Sequence, residues 1–132
     1  MDRLTFPNED MGTQTFGSFM RRKREEKGIS LRALAKDLEV TPAYLCDIEN
    51  GNRPAPKSRL TAICDKLCLT REDKALFFDL AAVTCGNQYE DINPYLSQIE
   101  TARVALRRAR DAGLPDTWWQ GVVMQIDAFT GK

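Results

Sequence analysis

Residues 29–51 read ISLRALAKDLEVTPAYLCDIENG, and the spacing of start signals and apolar residues within them decides the fold. Ser30 is a good helix N-cap, and Leu31, Leu34, Ala35 and Leu38 then recur on one helical face. After Glu39 and Val40, Thr41-Pro42 repeats the start signal, a capping hydroxyl followed by proline at the first helical position. The helix that follows turns Leu45 and Ile48 inward and ends at Asn50-Gly51. A turn of three to four residues is too tight for two helices of about eight residues to lie antiparallel, so they must cross steeply. Ala35 falls where they approach, and Leu34, Leu38, Val40, Leu45 and Ile48 supply a shared apolar seam.

Helical spacing continues on both sides. Upstream, Phe16, Phe19 and Met20 precede the charged run RRKREEK and the helix stop Gly28. Lys23 falls where an apolar residue would be expected, so its long stem is assigned to covering part of the core. Downstream, Asn52-Arg53-Pro54-Ala55-Pro56 is a proline-stiffened loop. A fourth helix follows over about 57–67, with Leu60, Ile63 and Leu67 on one side. Thr70 caps a fifth, with Leu76, Phe77, Leu80 and Ala81 as its apolar stripe. The pattern dissolves in TCGNQYEDINP, resumes as a sixth helix over 94–112, and stops at Gly113-Leu114-Pro115. A last segment sets Trp118, Trp119, Val122, Val123 and Ile126 at helical spacing. No strand-like alternation occurs, and the chain reads as all-α. The expected organisation is a flexible arm over 1–15, a five-helix domain over 16–82, a linker over 83–97, and a helical extension over 98–130.

Composition narrows the function. Among 132 residues, 42% are hydrophobic and 29% charged, as in ordinary soluble domains. No apolar run approaches the roughly 18–20 residues a membrane helix needs. The acid-containing MDRLTFPNED lacks the apolar region of a signal peptide, so a cytoplasmic protein is expected. Net charge is zero, yet residues 16–59 hold ten Lys/Arg against six Asp/Glu, a local +4 balanced by −4 elsewhere. A basic face on the first half follows, although a solvated surface explains charge runs equally well. Four cysteines form no C-x-x-C pair, so no metal site or cofactor is expected, and small buried thiols are the plain reading. The absence of histidine and of a phosphate-binding glycine loop argues against an enzyme. Cys46, inside the third helix, reads either as a tolerated small residue or as a redox-sensitive thiol.

The segment from Phe16 to about Ala82 resembles the lambda-repressor-like, or Xre-type, helix-turn-helix DNA-binding domains, five-helix units of phage and bacterial repressors. The ISL-x-x-LA, PAYL and IENG pieces stand in register and carry the likeness. It departs from the family at Leu31, where phage repressors commonly use a glutamine that reaches DNA. Glu39 and Cys68 likewise stand where glycines are usual, and a left-handed conformation at Glu39 would cost about 1 kcal/mol.

What the resemblance implies is a chain that binds double-stranded DNA as a transcriptional regulator, a repressor, with the helix 42–49 in the major groove. That groove is wide enough to admit an α-helix. Thr41, Pro42, Ala43 and Tyr44 would face bases and phosphates, with Asp47 one turn on. Thr41 and Tyr44 offer hydroxyls, Pro42 and Ala43 only apolar contact, and Asp47 suits a cytosine amino group. Arg32 would sit over the phosphate backbone, joined by Asn52, Arg53 and Lys57 from the following loop. Thr41 and Pro42 are also accounted for as helix-start residues, and Arg32 as an exposed helix arginine. The resemblance further implies a buried ion pair between Arg24 and Glu49.

Residues 98–130 resemble the C-terminal extension of small bacterial Xre-type proteins through ARVALRRARDAGLPDTWWQ. Their apolar face either packs on the core or joins two copies. A homodimer is expected, because two recognition helices give the affinity and palindromic symmetry repressors use. The alternative function is an antitoxin or adaptor whose helical tail binds a protein partner.

Overall fold

A computed structural model describes residues 14–131; most of the expected arm, residues 1–13, lies outside the described residues. The described residues form helices joined by turns and loops, without a strand. They divide into two compact units, one ending at Asp91 and the other starting at Ile92.

In the first unit the hydroxyl start signals act as N-caps. Thr15 opens α1 (Phe16–Glu26) with a reciprocal capping box, its Oγ1 accepting from Ser18 N at 3.1 Å while its own N–H donates to Ser18 Oγ at 3.0 Å. Ser30 accepts from Ala33 N to open α2 (Leu31–Asp37), and Thr41 accepts from Tyr44 N to open α3 (Pro42–Glu49). A 3-10 turn over Lys57–Arg59 leads into α4 (Leu60–Leu67), and Thr70 caps α5 (Arg71–Thr84). Between α2 and α3, Glu39 adopts φ 59° while Val40 N donates to Ala35 O at 3.0 Å, which closes the turn. Cys68, at the end of α4, is left-handed as well, with φ 52°.

One core joins these five helices. Phe19, Met20, Leu34, Leu45, Ile63 and Phe77 are among its fully enclosed side chains. Phe77 packs between Phe16, at 4.9 Å, and Phe78, which meets it edge-on at 5.3 Å. Lys23 holds its ammonium over the Phe19 ring, 5.7 Å from its centre, and 2.9 Å from Asp73 Oδ2, tying α1 to α5. Of the four thiols only Cys64 is buried, where loss of solvation pushes it up to about 12; Cys68 is exposed and the other two are half-buried.

Gly17 sets how closely α1 approaches α3. A Cβ there would stand 2.5 Å from the Ile48 carbonyl oxygen and closer still to that of Glu49, both backbone atoms that cannot swing aside.

In the second unit, the helix expected over 94–112 divides at Ile99, whose ψ of 96° is extended. It forms α6 (Asn93–Gln98) and α7 (Glu100–Ala112), so helix occupies the end of the stretch read as a linker. Arg103 compensates the break by donating from Nη1 to the carbonyls of Leu96 and Ser97 at 2.6 and 2.9 Å. After Gly113, α8 runs over Asp116–Thr130.

Gly17→Ala should lower the stability of the first unit by about 1–3 kcal/mol, the usual cost of overpacking, as read by urea unfolding; an unchanged midpoint would contradict the close approach. A second expectation concerns Asp79, on α5. Its carboxyl is raised above the usual range by burial and then by the charge of Asp91. The native state then holds this proton more tightly than the unfolded chain does. Stability is therefore full at acid pH and falls as pH rises through the raised value. Asp79→Asn should raise the melting temperature at pH 7 and lose that advantage near pH 3, measured by thermal scans at both.

Candidate nucleic-acid interface

The two sides of α3 differ in kind. Leu45, Ile48 and Glu49 are buried, whereas Thr41, Pro42 and Ala43 at its start are exposed. The first turn therefore points outward with the positive end of the helix dipole behind it. Thr41 spends its acceptor on the cap to Tyr44 N, at 3.0 Å, and keeps a hydroxyl proton to give away.

Three of the expected site residues come together on this side. The Arg53 guanidinium lies over the Tyr44 ring, 4.5 Å from its centre, and Arg53 Nε stands 4.0 Å from Asp47 Oδ2. Both ion-pair partners are about half-exposed, so the salt bridge contributes little, on the order of 0–1 kcal/mol. The cation–π contact is of similar size, about 0.5–1 kcal/mol, and it fixes the plane of the fork. The cluster holds an arginine fork beside the outward turn and neutralises the one carboxylate there. Tyr44 and Arg53 are nine apart with the end of α3 between them, which carries no periodic signal, so sequence alone named the members and not their contact.

Other residues stand as follows. Arg32 is exposed in the first turn of α2, and Asn52 is exposed in the loop after α3. Lys57 is held by the segment after α5, with its ammonium 3.4 Å from Gln88 Oε1 and 3.7 Å from Glu90 Oε2. Cys46 Sγ accepts from Asn50 Nδ2 at 3.4 Å.

What holds α3 in place is Glu49. Its carboxylate is almost fully enclosed, at 1% side-chain exposure, and takes a two-pronged grip from Arg24: Nε to Oε2 at 2.8 Å and Nη2 to Oε1 at 3.1 Å. Arg24 also donates from Nη1 to the Ile29 carbonyl at 3.0 Å, so it ties α1, the start of α2 and α3 together. Its hydrogen bond to Glu49 outweighs desolvation and raises its pKa above the ordinary arginine value. Arg21, unmarked in the sequence reading, donates to Glu49 Oε1 at 3.2 Å and to Asn50 Oδ1 at 2.5 Å. Arg21 is three residues before Arg24, hence on the same helical face, and that spacing was the available signal. Arg59, also missed, donates to the Leu38 carbonyl and fastens the α4 entry to the end of α2. Among the described residues no buried side-chain nitrogen or oxygen lacks a partner, so this network is complete.

Residues 15–77, from the N-cap of α1 to the middle of α5, match a family described as a helix-turn-helix domain. No curated protein and no solved structure matches the chain. Among the described residues no helix is long and apolar enough to cross a membrane.

Removing Glu49 strands a buried guanidinium. Glu49→Ala should cost about 3–5 kcal/mol, read by urea unfolding of the full chain, and charge reversal at this position should unfold the domain. A loss below about 1 kcal/mol, the scale of an exposed pair, would contradict the enclosed role.

Proposed function

We propose that this helix-turn-helix protein is a sequence-specific transcriptional regulator that docks α3 in the major groove of duplex DNA as a homodimer. The observation that carries the reading is the outward first turn of α3 with the Tyr44–Arg53–Asp47 cluster beside it. Arg53 supplies a planar fork able to grip a phosphate or the paired acceptors of guanine. Asp47 repels phosphate on its own and suits a cytosine amino group once Arg53 has turned to DNA. Thr41 donates to a phosphate or base, Pro42 and Ala43 meet thymine methyls, and Arg32 and Asn52 hold the backbone on either side. Lys57 contributes charge after leaving Glu90. With so few hydrogen-bonding groups in the first turn, specificity draws also on DNA shape and on half-site spacing. Repression is the mode proposed, since a protein seated on an operator excludes polymerase without further parts, and cytoplasmic residence follows from the substrate.

A second reading, an adaptor whose helical tail binds another protein, draws on the exposed apolar side chains of residues 92–131.

Fluorescence anisotropy with labelled random-sequence duplex between about 50 and 200 mM salt separates the two. Affinity should fall steeply with salt, as expected for several phosphate contacts. Arg53→Ala should weaken binding about tenfold or more at low salt, the scale of a fork contact worth about 1–3 kcal/mol, and lower the melting temperature by no more than a few degrees, as its exposed contacts in the free protein imply. No retention of wild-type protein at low salt would favour the adaptor.

A further inference from the structure

The chain that leaves α5 is held to the first unit. At the end of that helix Asn87 N donates to the Ala82 carbonyl at 2.7 Å, and Gly86 and Asn87 are both left-handed, with φ 66° and 63°. Two such residues in succession turn the chain sharply, and asparagine is among the few side-chain residues that tolerate the conformation. The chain then returns to the body of the unit. Lys57, at the entry to α4, holds Gln88 Oε1 at 3.4 Å and Glu90 Oε2 at 3.7 Å. The charge of Asp91 is the second cause, after burial, of the raised Asp79 carboxyl on α5, so Asp91 too lies close to the unit. Residues 86–91 therefore form a strap, fixed at one end by a helix stop and at the other by an ion pair.

The strap is acidic, and its anchor is a cation of the proposed interface. From Cys85 to Asp91 the chain carries Glu90 and Asp91 and no lysine or arginine. Glu90 is the more enclosed member of the pair, with 27% side-chain exposure against 54% for Lys57. Its carboxylate offers the Lys57 ammonium the same charge and the same kind of acceptor oxygen that a phosphate would. A phosphate brought to that ammonium would face Glu90 as well, and like charges repel. Arg53 shows the same arrangement, with Asp47 at 4.0 Å. Both cations named in the segment after α3 are thus answered by carboxylates in the free chain.

We propose that residues 86–91 are an autoinhibitory strap: Glu90 occupies Lys57 in the free protein, and duplex DNA displaces it, taking Lys57 and loosening the strap. The strap ends where the second unit starts, at Ile92. DNA contact at Lys57 and the freedom of the connection to that unit are thereby linked. The link runs both ways, so whatever draws the strap off Lys57 strengthens DNA binding. The inference rests on the DNA reading above and adds a control built into the same chain.

A double-mutant cycle on Lys57 and Glu90, read by fluorescence anisotropy with random-sequence duplex at about 50 mM salt, tests it. Glu90→Gln should tighten binding about two- to fivefold, the scale of an exposed ion pair, and lower the melting temperature by no more than a few degrees. In a Lys57→Gln chain the same substitution should leave affinity unchanged. Amide hydrogen exchange over residues 86–91 of the wild type should quicken when duplex is added. No gain from Glu90→Gln would overturn the strap. So would a gain undiminished in the Lys57→Gln chain, because Glu90 would then act on DNA by its charge alone. Exchange over 86–91 that slows or stays the same with duplex would overturn it as well. Each of these outcomes leaves the DNA reading standing as long as the wild type binds, whereas wild-type protein that retains no duplex at this salt overturns both.

Discussion

The enclosed carboxylate of Glu49 is the constraint on which the placement of α3 depends. It lies at the end of α3, is gripped by Arg24 in a planar fork, and receives Arg21 as well. A buried charge of this kind adds little net stability, because desolvation consumes most of the attraction, yet losing one partner is costly. The arrangement therefore selects one orientation of α3 over others. Gly17 enforces the same orientation sterically, since only a bare α-carbon lets α1 come so near the Ile48 and Glu49 carbonyls. Electrostatic and steric fixation converge on the last turn of α3, and its first turn is thereby delivered outward.

A rigid backing changes what the few polar groups on the exposed side can do. Thr41, Tyr44, Asp47 and Arg53 offer a short list of donors and acceptors, and two of them already hold a third: Tyr44 by stacking and Asp47 by charge keep Arg53 beside the helix. An arginine so placed loses less freedom on binding than one free in solution, which favours contact without requiring more of them. In the proposed complex Asp47 would work in the other direction, penalising contact with phosphate unless a base partner compensates. Such opposition is how a sparse surface discriminates.

Much of this was legible in the sequence because caps and apolar periods are local. Ser30, Thr41 and Thr70 announce helix starts through one hydroxyl each, and the resemblance implies Arg24 and Glu49 as partners. The left-handed turn at Glu39 was also expected. What escaped depends on contacts between residues far apart in the chain. Arg21 looks like one more cation in RRKREEK, Arg59 like a solvated side chain, and Gly17 like an indifferent small residue. The break at Ile99 escaped because Pro94 to Ala112 has an uninterrupted helical period, and only the carbonyls capped by Arg103 show why the chain stops and restarts there. Pairing of Lys57 with Glu90 escaped for the same reason, since the partner lies in a stretch without pattern.

The central claim is that α3, held by Glu49, reads duplex DNA. Selection of bound fragments from a random-sequence duplex pool by the full chain tests it most directly. The account predicts enrichment of one motif with inverted half-sites whose centres lie about one helical turn apart, the spacing that paired recognition helices require. A pool recovered at low salt with no enriched sequence, or with no retention at all, would contradict it.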